Sequence, residues 1–294
     1  MREGTPSRTA AWVAAARALG ALLPPEARLA DDPYGMKFVA DIHVPRAGGA
    51  AVKWVAPLRT WVMYMQVRTR ILDDALVRFA AEGGRQVVLL GAGYDCRALR
   101  FSRELSGATV FEVDHPATQG HKRRVLGDAP ADGCITRHVP WDFESRPMSA
   151  LPAALAGAGH DAAAPTLTIW EGVTMYLTPA AIDASVRAVR AYSAAGSQLA
   201  MTYFTRDMID RPNPAVRLLS AIVASGGEPF RFGWDRAELP SWLGERGFEQ
   251  SRDVSIADEA RRLLPAWWAR GVGEAGRRVS LARATESVVV ASRS

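Results

Sequence analysis

The residues with types and spacing suited to ligand binding begin with a glycine-rich stretch, GAGYD, at residues 91–95. It follows an apolar run and precedes a helical pattern, a context in which glycines allow a tight turn and the close approach of a ligand. A dinucleotide enzyme would have Gly or Ala at the sixth position, whereas Cys96 stands here, and Asp95 would face a diphosphate. Asp95 suits instead a ligand with a free ammonium group, such as the methionine end of S-adenosylmethionine.

Acidic residues follow the next three apolar runs. Asp114 lies 23 positions after Gly91, close to the spacing of about 20 at which an acid reaches a pair of ribose hydroxyls. Its place at the end of the run makes it a better candidate than Glu112, and Asp142 and Glu171 follow the third and fourth runs. Because ligands of open α/β sheets bind outside the carboxyl ends of the strands, we expect these acids at one edge of a sheet.

The elements that would position these residues are those of a doubly wound α/β fold. Between residues 85 and 200, short apolar runs alternate with helical patterns, which is typical of βαβ units and a mostly parallel sheet with helices on both faces. We predict seven strands, at residues 86–90, 109–113, 134–139, 166–170, 198–203, 248–254 and 287–291. Helices are predicted at residues 96–105, 117–126, 148–155 and 179–192, the last capped by Thr178 before Pro179.

Two segments fall outside this alternation. Residues 1–84 are mostly helical in pattern, and prolines and glycines interrupt a short helix within residues 205–234. We therefore expect one domain that carries a helical cap. Its parts are an N-terminal helical cap segment at 1–84, a cofactor-binding core at 85–204, a lid insertion at 205–234 and a completion of the core sheet at 235–294.

The composition is that of a folded globular protein, since 48% of the 294 residues are hydrophobic and 23% are charged. An excess of 36 basic over 31 acidic residues gives a net charge of +5, but no basic stripe interleaved with aromatic residues indicates a nucleic-acid partner. Arg17 interrupts the apolar run near the N-terminus, so we predict no signal peptide, no membrane span and a cytoplasmic location. We expect a monomer or a homodimer.

Metal and disulfide chemistry are not predicted. Cys96 and Cys134 are the only cysteines, too few for a disulfide framework or a four-ligand zinc site. The histidines show no metal-ligand spacing.

Five motifs together resemble one family, the leucine carboxyl methyltransferase-like O-methyltransferases, which include bacterial enzymes of polyketide and other secondary metabolism. The motifs are DPY at 32–34, RTR at 68–70 leading to DD at 73–74, GAGYDCR at 91–97, FEVDHPAT at 111–118 and EGVTMYL at 171–177. The resemblance implies a Rossmann-like class I methyltransferase fold. It also implies S-adenosyl-L-methionine as cofactor and S-adenosyl-L-homocysteine as product.

The resemblance further implies cofactor-binding roles at matching positions. Arg68 would bind the carboxylate of the cofactor, Asp114 would hold its ribose, and Glu171 would line the site near its amino-acid end. The remaining predicted cofactor residues are Gly91, Ala92, Gly93 and Asp95 in the glycine-rich stretch, and Asp142 and Phe143 beside the adenine. Cys96 replaces the usual threonine, and the residues after 205 match poorly, which leaves the acceptor open.

The acceptor is predicted from the chemistry of methyl transfer together with the resemblance. Methyl transfer from a sulfonium is an in-line displacement by the acceptor atom. A carboxylate, with a pKa near 4, is already ionised at neutral pH and needs no base, whereas a phenol, with a pKa near 10, needs a base or a lowered pKa. The sequence offers no compelling base and no assigned catalytic residue. This absence, together with the family resemblance, predicts methyl-ester formation on a small-molecule carboxylate, with Tyr176 and Tyr203 as candidates to face the acceptor. The alternatives are hydroxyl or phenolic methylation of a polyketide-like substrate, a protein C-terminal carboxyl methyltransferase, and a non-catalytic S-adenosylmethionine-binding protein.

Overall fold

A seven-stranded sheet forms the centre of the protein. The computed structural model describes residues 8–39, 52, 55–127, 133–212, 216–217, 220–221, 229–272 and 276–285. The strands are β1 (Gln86–Leu90), β2 (Thr109–Asp114), β3 (Ile135–Pro140), β4 (Thr166–Trp170), β5 (Gln198–Phe204), β6 (Phe248–Ser255) and β7 (Arg277–Ala284). They are arranged in the order β3-β2-β1-β4-β5-β7-β6, with β1 to β5 parallel and β7 antiparallel to both neighbours. The predicted Rossmann-like α/β fold is confirmed.

Helices cover both faces of this sheet. They are α1 (Arg8–Ala21), α2 (Ala56–Ala81), α3 (Arg97–Arg100), α4 (Pro116–Leu126), α5 (Leu151–Gly157), α6 (Pro179–Ala191), α7 (Arg206–Asp210), α8 (Leu239–Gly244), α9 (Ile256–Leu263) and α10 (Ala266–Ala269). Thr178 accepts a hydrogen bond at 3.3 Å from the backbone N–H of Ala181, and Pro179 opens α6, as the sequence predicts.

The side chains of β1 alternate between two hydrophobic clusters, as expected for a strand buried on both faces. Val87 and Leu89 pack in a cluster with α1, α2, α9 and α10, whereas Val88 and Leu90 pack with α5, α6 and α8. The long helix α2 therefore lies directly on the sheet and carries its side chains to the edge where β1 and β4 end. The division of the chain into cap, core and lid stays a prediction.

The seventh strand differs from the sequence-based prediction. It is formed by Arg277–Ala284, whereas the predicted run at residues 287–291 lies outside the described residues. Because β7 begins with two arginines, a search for apolar runs does not detect it. Arg278 is accommodated because its Nε lies 2.9 Å from both carboxylate oxygens of Asp253 on β6.

The predicted helix at 96–105 is shorter in the structure. It ends as α3 at Arg100 and continues as turns to Gly107, whose φ of 73° is readily adopted only by glycine. Within the described part of the chain, no helix combines the length and the apolar character needed to cross a membrane.

Candidate cofactor and acceptor site

The glycine-rich stretch forms the turn between β1 and α3. Gly91 and Gly93 have φ angles of 75° and 51°, in the left-handed region that favours glycine. The N–H of Gly91 donates to the carbonyl of Val113 at 2.9 Å, which ties the turn to the end of β2. A Cβ atom at Gly91 would come within 2.9 Å of a methyl group of Val173, so a larger residue would collide with the loop after β4. Ala92 is buried in this turn.

Asp114 lies against this turn, at the end of β2. Its two carboxylate oxygens accept hydrogen bonds at 2.6 Å from the backbone N–H groups of Gly93 and His115. Burial raises the pKa of Asp114, although the two backbone donors act in the opposite direction. The structure therefore brings together the acid and the glycines that the sequence analysis places beside the cofactor.

Glu171, directly after β4, is held by two arginines. Its Oε1 accepts from Nε of Arg68 on α2 at 2.7 Å, and its Oε2 accepts from Nη1 of Arg97 on α3 at 2.7 Å. Burial alone would raise the pKa of Glu171, but the charges of Arg97 and Arg68 outweigh burial and hold this pKa well below its usual range. The structure thus brings Arg68 and Glu171 together although they lie 103 positions apart, and their roles toward the cofactor stay predictions.

Arg97 joins the largest number of acids in this group, and the sequence analysis did not assign it a role. Its Nε donates to Asp73 at 2.8 Å, its Nη1 contacts Asp95, and its backbone N–H donates to Asp95 at 2.7 Å. Its Nη2 is buried without a hydrogen-bond partner in the described structure. Because Asp95 is paired with Arg97, direct contact of Asp95 with a ligand ammonium stays a prediction. The one sign of this role in the sequence is that Arg97 is a basic residue two positions after Asp95.

The N-terminal segment also contributes to the site. Arg17 on α1 pairs with Asp32 at 2.9 Å, and its Nη2 donates to the carbonyl of Tyr94 at 2.7 Å. A Cβ atom at Gly93 would lie 3.2 Å from Cβ of Ala10, so α1 packs directly over the glycine turn. In the sequence, Arg17 is visible only as an interruption of an apolar run.

Asp142 and Phe143 lie at the surface after β3. Asp142 accepts hydrogen bonds from the hydroxyl of Ser145 at 2.7 Å and the N–H of Glu144 at 2.9 Å, and these bonds lower its pKa. Phe143 is exposed. The loop that carries them starts beside Asp114, because the N–H of Trp141 donates to the Asp114 carbonyl at 2.8 Å.

The two tyrosines predicted to face the acceptor lie in different places. Tyr176 belongs to an apolar cluster beyond β4 and β5, and its ring centroid lies 5.6 Å from that of Phe230. We call this group, Met175, Tyr176, Phe204, Met208, Ile209, Val216 and Phe230, the edge cluster.

The position of Tyr203 contradicts the prediction that this residue faces the acceptor. It packs in the cluster of the opposite sheet face, and its hydroxyl donates to Asp253 at 2.9 Å. Side chains alternate along β5, so Thr202 and Phe204, and not Tyr203, face the side of the sheet on which α2 lies. Tyr203 is therefore not retained as an acceptor-facing residue.

A mixed sheet with a glycine turn after its first strand, an acid at the end of the second and a paired acid after the fourth is the arrangement expected at the cofactor site of an S-adenosylmethionine-dependent methyltransferase. A family model for leucine carboxyl methyltransferase matches residues 10–190, and the chain belongs to this family. It is 38% identical over 281 residues to a Frankia alni protein, covering 90% of this chain and 91% of that protein. A Mycolicibacterium gilvum protein is 36% identical over 244 residues, covering 79% and 75%.

Both relatives carry the name "Putative S-adenosyl-L-methionine-dependent methyltransferase". A solved structure of a DUF574 family protein from Streptomyces avermitilis shares the fold, with a TM-score of 0.58 and 19% sequence identity over 92% of this chain and 97% of that one. At that identity the likeness shows the fold alone. The chain is thus an S-adenosylmethionine-dependent methyltransferase.

Proposed function

We propose that this methyltransferase forms methyl esters on the carboxylate of a small organic acid in secondary metabolism. The observation that carries the proposal is that the carboxylates at the edge where β1 and β4 end are paired with arginines. Glu171, Asp95 and Asp73 each pair with arginine in the described structure. Paired carboxylates of this kind are poor proton acceptors. An acceptor that is already ionised at neutral pH needs no base.

The cofactor residues are part of the same proposal. Arg68 and Glu171 would match in charge the carboxylate and ammonium of the amino-acid end, and Asp114, at the end of β2, would hold the ribose. Gly91 and Gly93 present backbone without Cβ atoms, and Asp142 with Phe143 would flank the adenine. When bound, S-adenosylmethionine supplies an electrophilic methyl group on a sulfonium.

The protein's own contribution is mainly positional. Orientation of two reactants can supply about 7–11 kcal/mol of a barrier when their approach is in line. The edge cluster offers an apolar wall that orients an acceptor and excludes water. The name of the family, which specifies carboxyl methylation, supports the choice of acceptor group.

The proposal is tested by product chemistry. The protein is incubated with methyl-labelled S-adenosylmethionine and acids such as benzoate, octanoate and 4-hydroxyphenylacetate, the last of which carries both a carboxylate and a phenol. Label that mild alkali releases as methanol supports ester formation. Alkali-stable label on 4-hydroxyphenylacetate would favour the phenolic alternative, and label found on protein would favour protein carboxyl methylation. Cytoplasmic location and a monomeric or dimeric state stay predictions.

A further inference from the structure

Arg277, the first residue of β7, is a buried cation without an anionic partner in the described structure. It is 6% exposed, and its Nε is buried without a hydrogen bond. Its guanidinium carbon lies 4.4 Å from the centroid of the Tyr64 ring, a cation–π contact. Among the described residues no carboxylate lies within ion-pair distance of it.

The other buried arginines near this edge are each paired. Arg17 is paired with Asp32, Arg68 with Glu171, and Arg97 with Asp73, Asp95 and Glu171. A buried charge without a counter-ion destabilises the folded state, and the Tyr64 ring offsets only part of that cost. Burial lowers the pKa of Arg277, and the charge of Arg68 lowers it further. A bound anion would relieve both effects.

Arg277 stands between the cofactor residues and the edge cluster. Its Cα pairs in register with that of Phe204, the last residue of β5 and a member of the edge cluster. Residues directly opposite one another in an antiparallel pair project from the same face of the sheet. On the other side, Tyr64 connects it to the cofactor residues, because Nη1 of Arg68 donates to the Tyr64 hydroxyl at 3.4 Å.

We propose that Arg277 is the acceptor-binding arginine, which pairs with the carboxylate of an apolar monocarboxylic acid whose hydrocarbon part packs on the edge cluster. The inference rests on the proposed function, of which it specifies the substrate class and the residue that selects it. Arginine binds planar carboxylates through two parallel hydrogen bonds, which would orient the acceptor oxygens. The neutral amide of the same acid would lack this interaction.

The test measures anion selectivity without requiring turnover. Protein saturated with S-adenosylhomocysteine is titrated with benzoate, 2-naphthoate and octanoate, each against its own primary amide, by calorimetry. We expect the wild type to bind at least one acid tenfold or more tightly than its amide. Arg277→Met should abolish that preference and Arg277→Lys should keep part of it. Arg283→Met, on the exposed part of the same strand, should keep all of it.

Stability separates this role from a structural one. Since Met removes a buried unpaired charge and preserves most of the side-chain volume, Arg277→Met should melt at or above the temperature of the wild type, with unchanged affinity for S-adenosylhomocysteine. If that variant does not fold, Arg277→Gln takes its place. Equal binding of acids and amides by the wild type, or an acid preference that survives in the folded neutral variant, would overturn the proposal.

The two proposals fail in different ways. Acid binding that depends on Arg277 without any ester product would leave this inference standing and remove carboxyl methylation. Alkali-labile methyl transfer by Arg277→Met, with an unchanged KM for the acid, would instead remove the role of Arg277 and leave carboxyl methylation standing.

Discussion

Glu171 is the acid that joins the buried arginines Arg68 and Arg97. Glu171→Gln removes the negative charge between Arg68 and Arg97, which leaves Arg68 without a carboxylate partner among the described residues, whereas Arg97 keeps Asp73 and Asp95. Removal of one partner from a buried pair costs about 3–5 kcal/mol. We therefore expect the free energy of unfolding, measured by urea denaturation, to fall by about that amount. The same variant should lose the thermal stabilisation by S-adenosylhomocysteine.

The control is Glu245→Gln. Glu245 pairs with Arg246 at 3.2 Å but its side chain is 72% exposed, and such surface pairs contribute about 0–1 kcal/mol. Equal losses of stability in the two variants would contradict the account of Glu171.

The pH dependence of stability follows from the same residue. The pKa of Glu171 is lower in the folded protein than in the unfolded chain, where its ordinary value is 4.5. Its contribution is therefore fully present above about pH 4.5 and is lost as the pH falls toward the folded-state pKa. Urea denaturation between pH 3 and 7 should show a shallower acid loss in Glu171→Gln than in the wild type. Parallel curves would mean that Glu171 titrates normally.

At the scale of elements, Lys122 joins helix α4 to the glycine turn and to β2. It is buried, its ammonium donates to Oε1 of Glu112 at 2.8 Å, and it also contacts the backbone carbonyl of Asp95. Although burial alone acts against the charged forms, mutual attraction raises the pKa of Lys122 and lowers that of Glu112. Lys122 therefore stabilises the glycine turn by joining it to α4 and β2.

A single and a double variant test this support. Lys122→Met leaves Glu112 buried without its lysine partner, with His138 Nδ1 at 3.5 Å as the neighbouring nitrogen. The free energy of unfolding should fall by up to about 3–5 kcal/mol, whereas replacement of a whole buried pair by apolar residues is often neutral. Lys122→Met with Glu112→Leu should therefore be more stable than Lys122→Met alone. Both variants should bind S-adenosylhomocysteine more weakly, because each loses the contact to the Asp95 carbonyl. A double variant less stable than the single one would contradict the pairing.

The elements differ in how far the sequence could predict them. β1 and β4 lie at the predicted residues because strands buried on both faces are continuous apolar runs. β7 escaped prediction because its opening arginines are accommodated by tertiary partners, Asp253 for Arg278 and the Tyr64 ring for Arg277. Local pattern does not reveal such partners.

The residues of the candidate site also differ in how far the sequence could predict them. The glycine turn and Asp114 follow from spacing along one βαβ unit, and the structure brings them together. Tyr203 was misplaced because a position near a strand end predicts the edge of the sheet but not the face, which depends on alternation and register. Arg97 has a local partner in Asp95, but its contacts with Asp73 and Glu171, and the contact of Arg17 with the Tyr94 carbonyl, join segments that are distant in the sequence.

At the scale of the whole molecule, contacts join α1 to the glycine turn although the two lie far apart in the chain. Arg17 contacts the Tyr94 carbonyl, and Ala10 lies against Gly93. A ligand that orders the turn should also order α1, since coupling between sites is reciprocal. We expect S-adenosylhomocysteine to slow amide hydrogen exchange in Arg8–Ala21 as well as in the turn. Helix α6, on the opposite face, is the internal control, and protection equal to that of α6 would contradict the coupling.

The buried arginine–carboxylate contacts of Arg17, Arg68 and Arg97 also determine how the protein responds to ionic strength. Dissolved ions screen exposed charges strongly and interior charges only weakly. Affinity for S-adenosylhomocysteine, measured by calorimetry from low to high potassium chloride, should therefore change little, and a steep fall would contradict an interior charge site. Binding of a polyanion through the net charge of +5 would instead weaken sharply with salt. Salt concentration thus separates ligands held in the interior of the protein from those held by its surface.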